Sequence, residues 1–126
     1  MKKLILIVAL MASSPAVADQ LTAGDLYSFC SANDEMTKAT CRFYILGAVQ
    51  GISLGSSSVM DSSGRFVAKP KTHFCIPDDM PQSQMVAVFQ KTMQPLAQAY
   101  PQDLKLPAIS VLAAAMARAF PCPKSN

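Results

Sequence analysis

The sequence lacks most of the residues from which common catalytic and metal sites are built. Its 126 residues include no tryptophan and one histidine, His73. One imidazole cannot complete a compact Cys/His metal site, and the four cysteines form no CxxC pair for a zinc knuckle or a thioredoxin-like centre. The HExxH, GxSxG, P-loop and GxGxxG motifs are also absent. We therefore expect no enzymatic activity, no metal and no cofactor.

Charge is scarce as well, since only 15% of the residues are charged. Of the 11 lysines and arginines, Lys2 and Lys3 lie in the N-terminal segment, so 9 basic residues remain against 8 acidic ones. A nucleic-acid-binding surface needs a clustered excess of Lys and Arg. Beyond the N-terminal segment, no apolar run approaches the 18 residues or so that a membrane span requires. The sequence therefore predicts neither a nucleic-acid partner nor a membrane partner.

Residues 1–18 have the pattern of an export signal. Two lysines precede an apolar run from Leu4 to Met11, and the segment ends in Ala-Val-Ala, the small-x-small pattern of a signal-peptidase site. The apolar run is too short to span a bilayer as a stable helix. We predict a signal peptide over 1–18, a single mature domain over 19–126, and a location in the bacterial periplasm.

The cysteines all lie in the mature part, and an even number in an exported chain indicates disulfides. Four cysteines allow three pairings. We favour Cys30 with Cys41, which would join two adjacent helices at their junction, and Cys75 with Cys122, which would attach the C-terminal end to the central loop.

Apolar residues recur at helical spacing and predict an all-α fold, a small four-helix domain, orthogonal or bundle-like, with two disulfides. Thr22 and Asp25 have the spacing of a capping box and begin a first helix that ends near Ser31. The second helix begins at Thr37 or Thr40. Its apolar stripe comprises Cys41, Tyr44, Ile45, Ala48, Val49 and Ile52.

Two further helices follow a long polar connection over 56–73, in which Phe66 and Val67 could form one strand-like patch. Asp78 or Asp79 should cap the third helix, and Pro95 should kink or end it. The fourth helix extends over 106–120. The residues expected to line the apolar sides of these helices are Met85, Val88, Phe89, Thr92, Met93, Leu96, Ile109, Leu112, Ala113, Met116 and Phe120.

Three glycines recur at every fourth position of the second helix, Gly47, Gly51 and Gly55, and therefore share one face. Each costs about 1 kcal/mol relative to alanine in a helix interior, so three in register indicate that another backbone comes close. That backbone could belong to another helix of the same domain, or to a partner chain or second copy. The sequence leaves both alternatives open.

The chain also carries a series of short motifs in a defined order. They are Cys41-Arg-Phe-Tyr44-Ile-Leu-Gly47-Ala-Val-Gln-Gly51, Phe74-Cys75-Ile76-Pro77 with Gln84 following, Tyr100-Pro101, and Ala119-Phe120-Pro121-Cys122. Their order and spacing resemble the immunity proteins that protect bacteria against type VI secretion amidase effectors. The resemblance extends over about Leu26 to Cys122.

This resemblance implies a disulfide-bonded helical domain, commonly a homodimer, that binds and occludes a cognate peptidoglycan amidase in the periplasm. The motif residues expected to hold the fold are Tyr44, Gly47, Gly51, Pro77 and Pro121. Candidate contacts to the amidase are polar residues of two loops with one apolar anchor: Asp61, Arg65, Phe66, Lys69, Lys71, His73, Gln102 and Asp103.

An alternative function is that of a periplasmic acid-stress chaperone, another kind of small disulfide-bonded helical protein. Such a protein binds unfolded clients when protonation opens it, which requires many carboxylates that titrate together. Eight acidic residues and one histidine are a modest supply. The immunity function is therefore the preferred hypothesis.

Overall fold

The computed structural model describes residues 20–68 and 73–124. The predicted signal peptide, and the candidate contacts Lys69 and Lys71, lie outside these residues. The elements, in chain order, are helix α1 (Ala23–Cys30), helix α2 (Glu35–Ser57), strand β1 (Ser58–Met60), strand β2 (Phe66–Ala68), helix α3 (Gln82–Ala99), a 3-10 helix (Pro101–Lys105) and helix α4 (Ala108–Ala119).

The four predicted helices are present, but the fold is mostly helical and not all-α, because β1 and β2 form a small antiparallel sheet. The polar connection was expected to hold one strand-like patch at Phe66 and Val67. It holds two paired strands, and its first residues, Ser56 and Ser57, belong to α2. Apolar residues with high strand propensity, such as Val59 and Val67, occur on both sides of the tight turn and make the pairing favourable.

The first two helices begin where side chains cap their exposed N–H groups. The predicted capping box is confirmed: the Asp25 N–H donates to Thr22 Oγ1 at 3.1 Å, and the Thr22 N–H donates to Asp25 Oδ2 at 3.2 Å. Helix α2 begins earlier than predicted, because Asp34 caps it by accepting from the Thr37 N–H at 2.8 Å. This backbone hydrogen bond lowers the pKa of Asp34.

The third helix lacks its predicted cap, and of the two effects expected of Pro95, a kink or an end, the structure excludes an end. Asp78 and Asp79 do not cap it; they lie in a preceding turn, and Pro81 occupies the N-cap position without a side-chain cap. Pro95 does not end the helix, which continues to Ala99. A proline removes only the backbone hydrogen bonding of its own helical turn. Leu96, the next residue, is half-buried against the core and keeps the last turn in place.

One apolar core lies between the four helices. α2 and α3 bury the faces that the spacing predicts, but α4 is turned so that Val111 and Ala115 are buried while the predicted core residue Ile109 is 39% exposed. Phe74, from the segment before α3, also inserts into the core. The largest fully buried side chains are Phe74, Phe89, Leu26, Ile45, Met93, Leu112 and Met116.

Covalent and backbone links fix the segments between the helices. The structure contains the disulfides Cys30–Cys41 and Cys75–Cys122, which is the pairing favoured above. The Cys75 N–H also donates to the Phe120 carbonyl at 2.8 Å, which holds the segment before α3 against the end of α4. Among the helices of the described part, none is long and apolar enough to cross a membrane.

Candidate partner-binding surfaces

The β1–β2 hairpin exposes large apolar side chains. Met60 lies opposite Phe66, and Val59 lies opposite Val67. Directly opposed residues of an antiparallel pair share one face of the sheet, so Met60 and Phe66 form a pair beside the turn. Phe66 is 79% exposed and Met60 is 62% exposed. Neither side chain is among the described residues that form or pack against the apolar core. The two therefore form a candidate binding surface.

The turn that joins the strands is held in one conformation by Asp61. Its carboxylate accepts hydrogen bonds from the Ser63 hydroxyl at 2.6 Å, the Ser63 N–H at 2.9 Å and the Arg65 N–H at 3.0 Å. Gly64, at φ 78°, adopts a backbone conformation that other residues rarely take. The Ser63 hydroxyl, followed by the Arg65 N–H, lowers the pKa of Asp61. The turn thus presents Met60 and Phe66 on an ordered support.

We expect this turn to lose its order only at acidic pH, where Asp61 becomes protonated. A carboxylate with a lowered folded-state pKa stabilises the turn above its ordinary value of 3.8, and that contribution is lost as the pH falls through the lower folded-state pKa. The amide chemical shifts of Ser63 and Arg65, followed by NMR, should therefore stay constant between about pH 5 and about pH 8, because this whole range lies at least roughly one pH unit above 3.8.

Substitutions of Asp61 provide the controls for that titration. Asp61→Ala should disorder the turn at neutral pH, whereas Asp61→Asn retains one acceptor oxygen and should keep the turn ordered without the acid transition. A loss of order near neutral pH in the unmodified protein would show that another group controls the turn.

The structure brings only some of the predicted contact residues together. Asp61, Arg65 and Phe66 meet on the hairpin. His73 lines a shallow depression between α2 and α4, while Gln102 and Asp103 lie in the 3-10 helix, which packs against α1 and α3. The sequence did not point to Met60, because its pairing with Phe66 follows only from the strand register.

The motif residues expected to be structural also fall into different settings. Tyr44 is half-buried against the core, and burial raises the pKa of its phenol. Pro77 and Pro121 are exposed in the segments that flank the Cys75–Cys122 disulfide. Among the described residues, a Cβ added at Gly47 or Gly51 would meet nothing within 4 Å, so the first of the two alternatives, another helix of the same domain packed there, is contradicted.

Gly47 belongs to a row of residues along the solvent-facing side of α2, opposite the buried Ile45 and Val49, and Gly51 flanks that row; we call the row the outer face. Its members follow one another at alternating steps of four and three residues: Met36, Thr40, Phe43, Gly47, Gln50 and Leu54. Phe43 is 72% exposed and Leu54 is 66% exposed. This spacing is typical of the seam between two paired helices. The flanking residues 37, 39, 44, 46, 51 and 53 are also uncharged.

The described residues contain no group of three or more His, Cys, Asp or Glu side chains that could hold a metal ion. They present a mostly helical core with two disulfides and exposed apolar elements, which places the domain among small disulfide-bonded helical proteins. The model of the Rap1a immunity proteins matches residues 22–122. The chain therefore belongs to the Rap1a immunity protein family, whose members are type VI secretion immunity proteins for amidase effectors. No curated protein matches the chain.

Proposed function

We propose that this protein is exported to the periplasm and there binds a type VI peptidoglycan amidase effector, whose active-site cleft it blocks with the β1–β2 hairpin. The observation that carries the proposal is the Met60 and Phe66 pair, exposed on a turn that Asp61 holds in place. Membership of the Rap1a immunity family supports this choice of partner.

The hairpin has the physical properties of an inhibitory element. Full burial of a phenylalanine or methionine side chain is worth about 1.5–3 kcal/mol, so the two residues together could anchor a complex. Because the turn is already ordered, little conformational entropy is lost when it binds. Asp61 and Arg65 place opposite charges beside this anchor and would help to select one cleft over another.

Periplasmic action is supported by two independent features. The export pattern of residues 1–18 would direct the chain through the inner membrane. The Cys30–Cys41 and Cys75–Cys122 disulfides persist in an oxidising compartment such as the periplasm.

The same proposal includes a homodimer that pairs through the outer face of α2. The face is uncharged, so two copies related by a two-fold axis would bring no like charges together. Gly47 and Gly51 would allow the backbones to approach closely, and Phe43 and Leu54 would lose their exposure. From Met36 to Leu54 the outer face offers a seam about 27 Å long, at the helical rise of about 1.5 Å per residue.

The dimer is tested by placing a charge in the middle of this face. Phe43→Asp should shift the protein from the mass of two chains to the mass of one in sedimentation equilibrium, because an unpaired carboxylate would be buried in the seam. Gln94→Asp adds the same charge on the exposed side of α3 and should leave the mass unchanged. A single-chain mass for the unmodified protein would contradict the seam.

The immunity function is tested in cells that direct a candidate amidase from the same genome to their own periplasm. Co-production of this protein with its export signal should restore growth, and the two proteins should purify together. If no amidase from that genome is neutralised or bound, the proposal fails. Suppression of client aggregation in acid, without protection from any amidase, would instead support the chaperone alternative.

A further inference from the structure

A second surface lies between α3 and α4, far along the chain from the hairpin. Two depressions of about 450 Å³ and 320 Å³ share Thr92, Ala115 and Arg118 among their lining residues and therefore adjoin. Their apolar lining comprises Val88, Pro95, Leu96, Leu106, Val111, Ala114, Ala115 and Ala119. We call this surface the α3–α4 groove.

The groove exists because α4 is unusually rich in alanine where it borders α3. Ala114, Ala115 and Ala119 line the groove, and their short side chains leave the space that larger residues would fill. Leu106 is 46% exposed at one end of the groove. The groove can therefore accept apolar side chains from outside the domain.

The charged residues that line the groove are basic. Lys91 and Arg118 line it, and no carboxylate does. The ion pairs seen among the described residues join Glu35 to Lys38 and Arg42 on α2, and neither of them involves Lys91 or Arg118. An occupant that supplies carboxylates beside apolar side chains would satisfy both features of the groove.

We infer that the α3–α4 groove is a second docking surface for the effector and receives an amphipathic segment in which acidic and aliphatic residues alternate on one side. This inference rests on the proposed function. A second copy of this chain is a poorer occupant, because a two-fold axis through the groove would bring Lys91 and Arg118 towards their own equivalents.

The test uses the exported protein and the amidase that it neutralises, with the dissociation constant measured by calorimetry. Lys91→Glu combined with Arg118→Glu should weaken binding by at least about tenfold, because both charge pairs become repulsive. Lys105→Glu combined with Lys124→Glu produces the same change of net charge outside the groove and should bind like the unmodified protein. Ala114→Trp, at an exposed position, should fill the groove and weaken binding by a similar factor while the far-ultraviolet circular dichroism is retained.

The outcomes separate this inference from the proposed function. If the unmodified protein binds the amidase and both groove variants bind within about twofold of it, the groove inference is wrong and the hairpin proposal stands, since about 0.4 kcal/mol is too little for two lost charge pairs. If the groove variants change only the mass of the free protein, the occupant of the groove is a second copy of the chain. If they change binding only when residues 1–18 are retained, the occupant is the chain's own N-terminus. Either result would show that the inference is wrong. If the unmodified protein binds no amidase, both proposals fail.

Discussion

Replacement of Phe66 by aspartate is expected to abolish inhibition of the effector, with a loss of at least about 100-fold in the concentration that gives half inhibition. Phe66 is 79% exposed, so its removal leaves the core intact. In the complex it would be the central apolar anchor, and an aspartate in the same cleft would have to lose its hydration without a partner. Inhibition of peptidoglycan cleavage by a purified variant provides the measurement.

A matched substitution shows whether the effect belongs to the hairpin. Tyr100 is another exposed aromatic residue, 58% exposed beside the 3-10 helix. Tyr100→Asp introduces the same charge and should inhibit as well as the unmodified protein. Equal inhibition by the Phe66 and Tyr100 variants would mean that the hairpin does not enter the cleft.

The largest expected effect on stability comes from removal of the Cys75–Cys122 disulfide by substitution of both cysteines with alanine. This bond closes a loop of 47 residues, and chain entropy predicts a loss of about 4 kcal/mol in the free energy of unfolding. Since small domains are stable by only about 5–15 kcal/mol, much of the total stability would be lost. The bond also holds the segment that carries Phe74 into the core. Urea unfolding of the purified variant measures the loss.

The second disulfide gives an internal comparison. Cys30 and Cys41 are 11 residues apart, so replacement of both by alanine should cost less, about 3 kcal/mol by the same relation. If the short-loop variant were the less stable of the two, the entropic explanation would be wrong, and local packing between α1 and α2 would be the dominant effect.

The sequence was sufficient to predict the helices and most of the core because their signals are local. A stripe such as Cys41, Ile45 and Val49 recurs at helical spacing and is buried as expected. The capping box at Thr22 was recognisable from two residues. The N-cap Asp34 was missed because an aspartate in a polar turn has several competing roles, and only the backbone geometry selects one of them.

The candidate site was less predictable because it depends on tertiary structure. Two strands of three residues are too short to show alternation, so the pairing of Met60 with Phe66 could not be read from the sequence. The spacing of Gly47 and Gly51 predicted a close backbone neighbour, but it could not distinguish a helix of the same domain from a partner. In the structure, no other part of the described domain covers either glycine. Likewise, the exposure of Ile109 follows from how α4 is rotated against its neighbours, and not from its own periodicity.

If this protein neutralises an amidase by occupying its active site, inhibition should be complete at one chain for each amidase, and a stoichiometric titration measures this ratio. Purified amidase from the same genome is held at a concentration above the dissociation constant expected for the unmodified protein and below that expected for the Phe66→Asp variant, and its cleavage of peptidoglycan is measured as this protein is added. We expect activity to fall linearly to zero at one equivalent of chain, and to remain when the Phe66→Asp variant is added instead. Full activity with an excess of the unmodified protein, for every amidase of that genome, would contradict the proposed function.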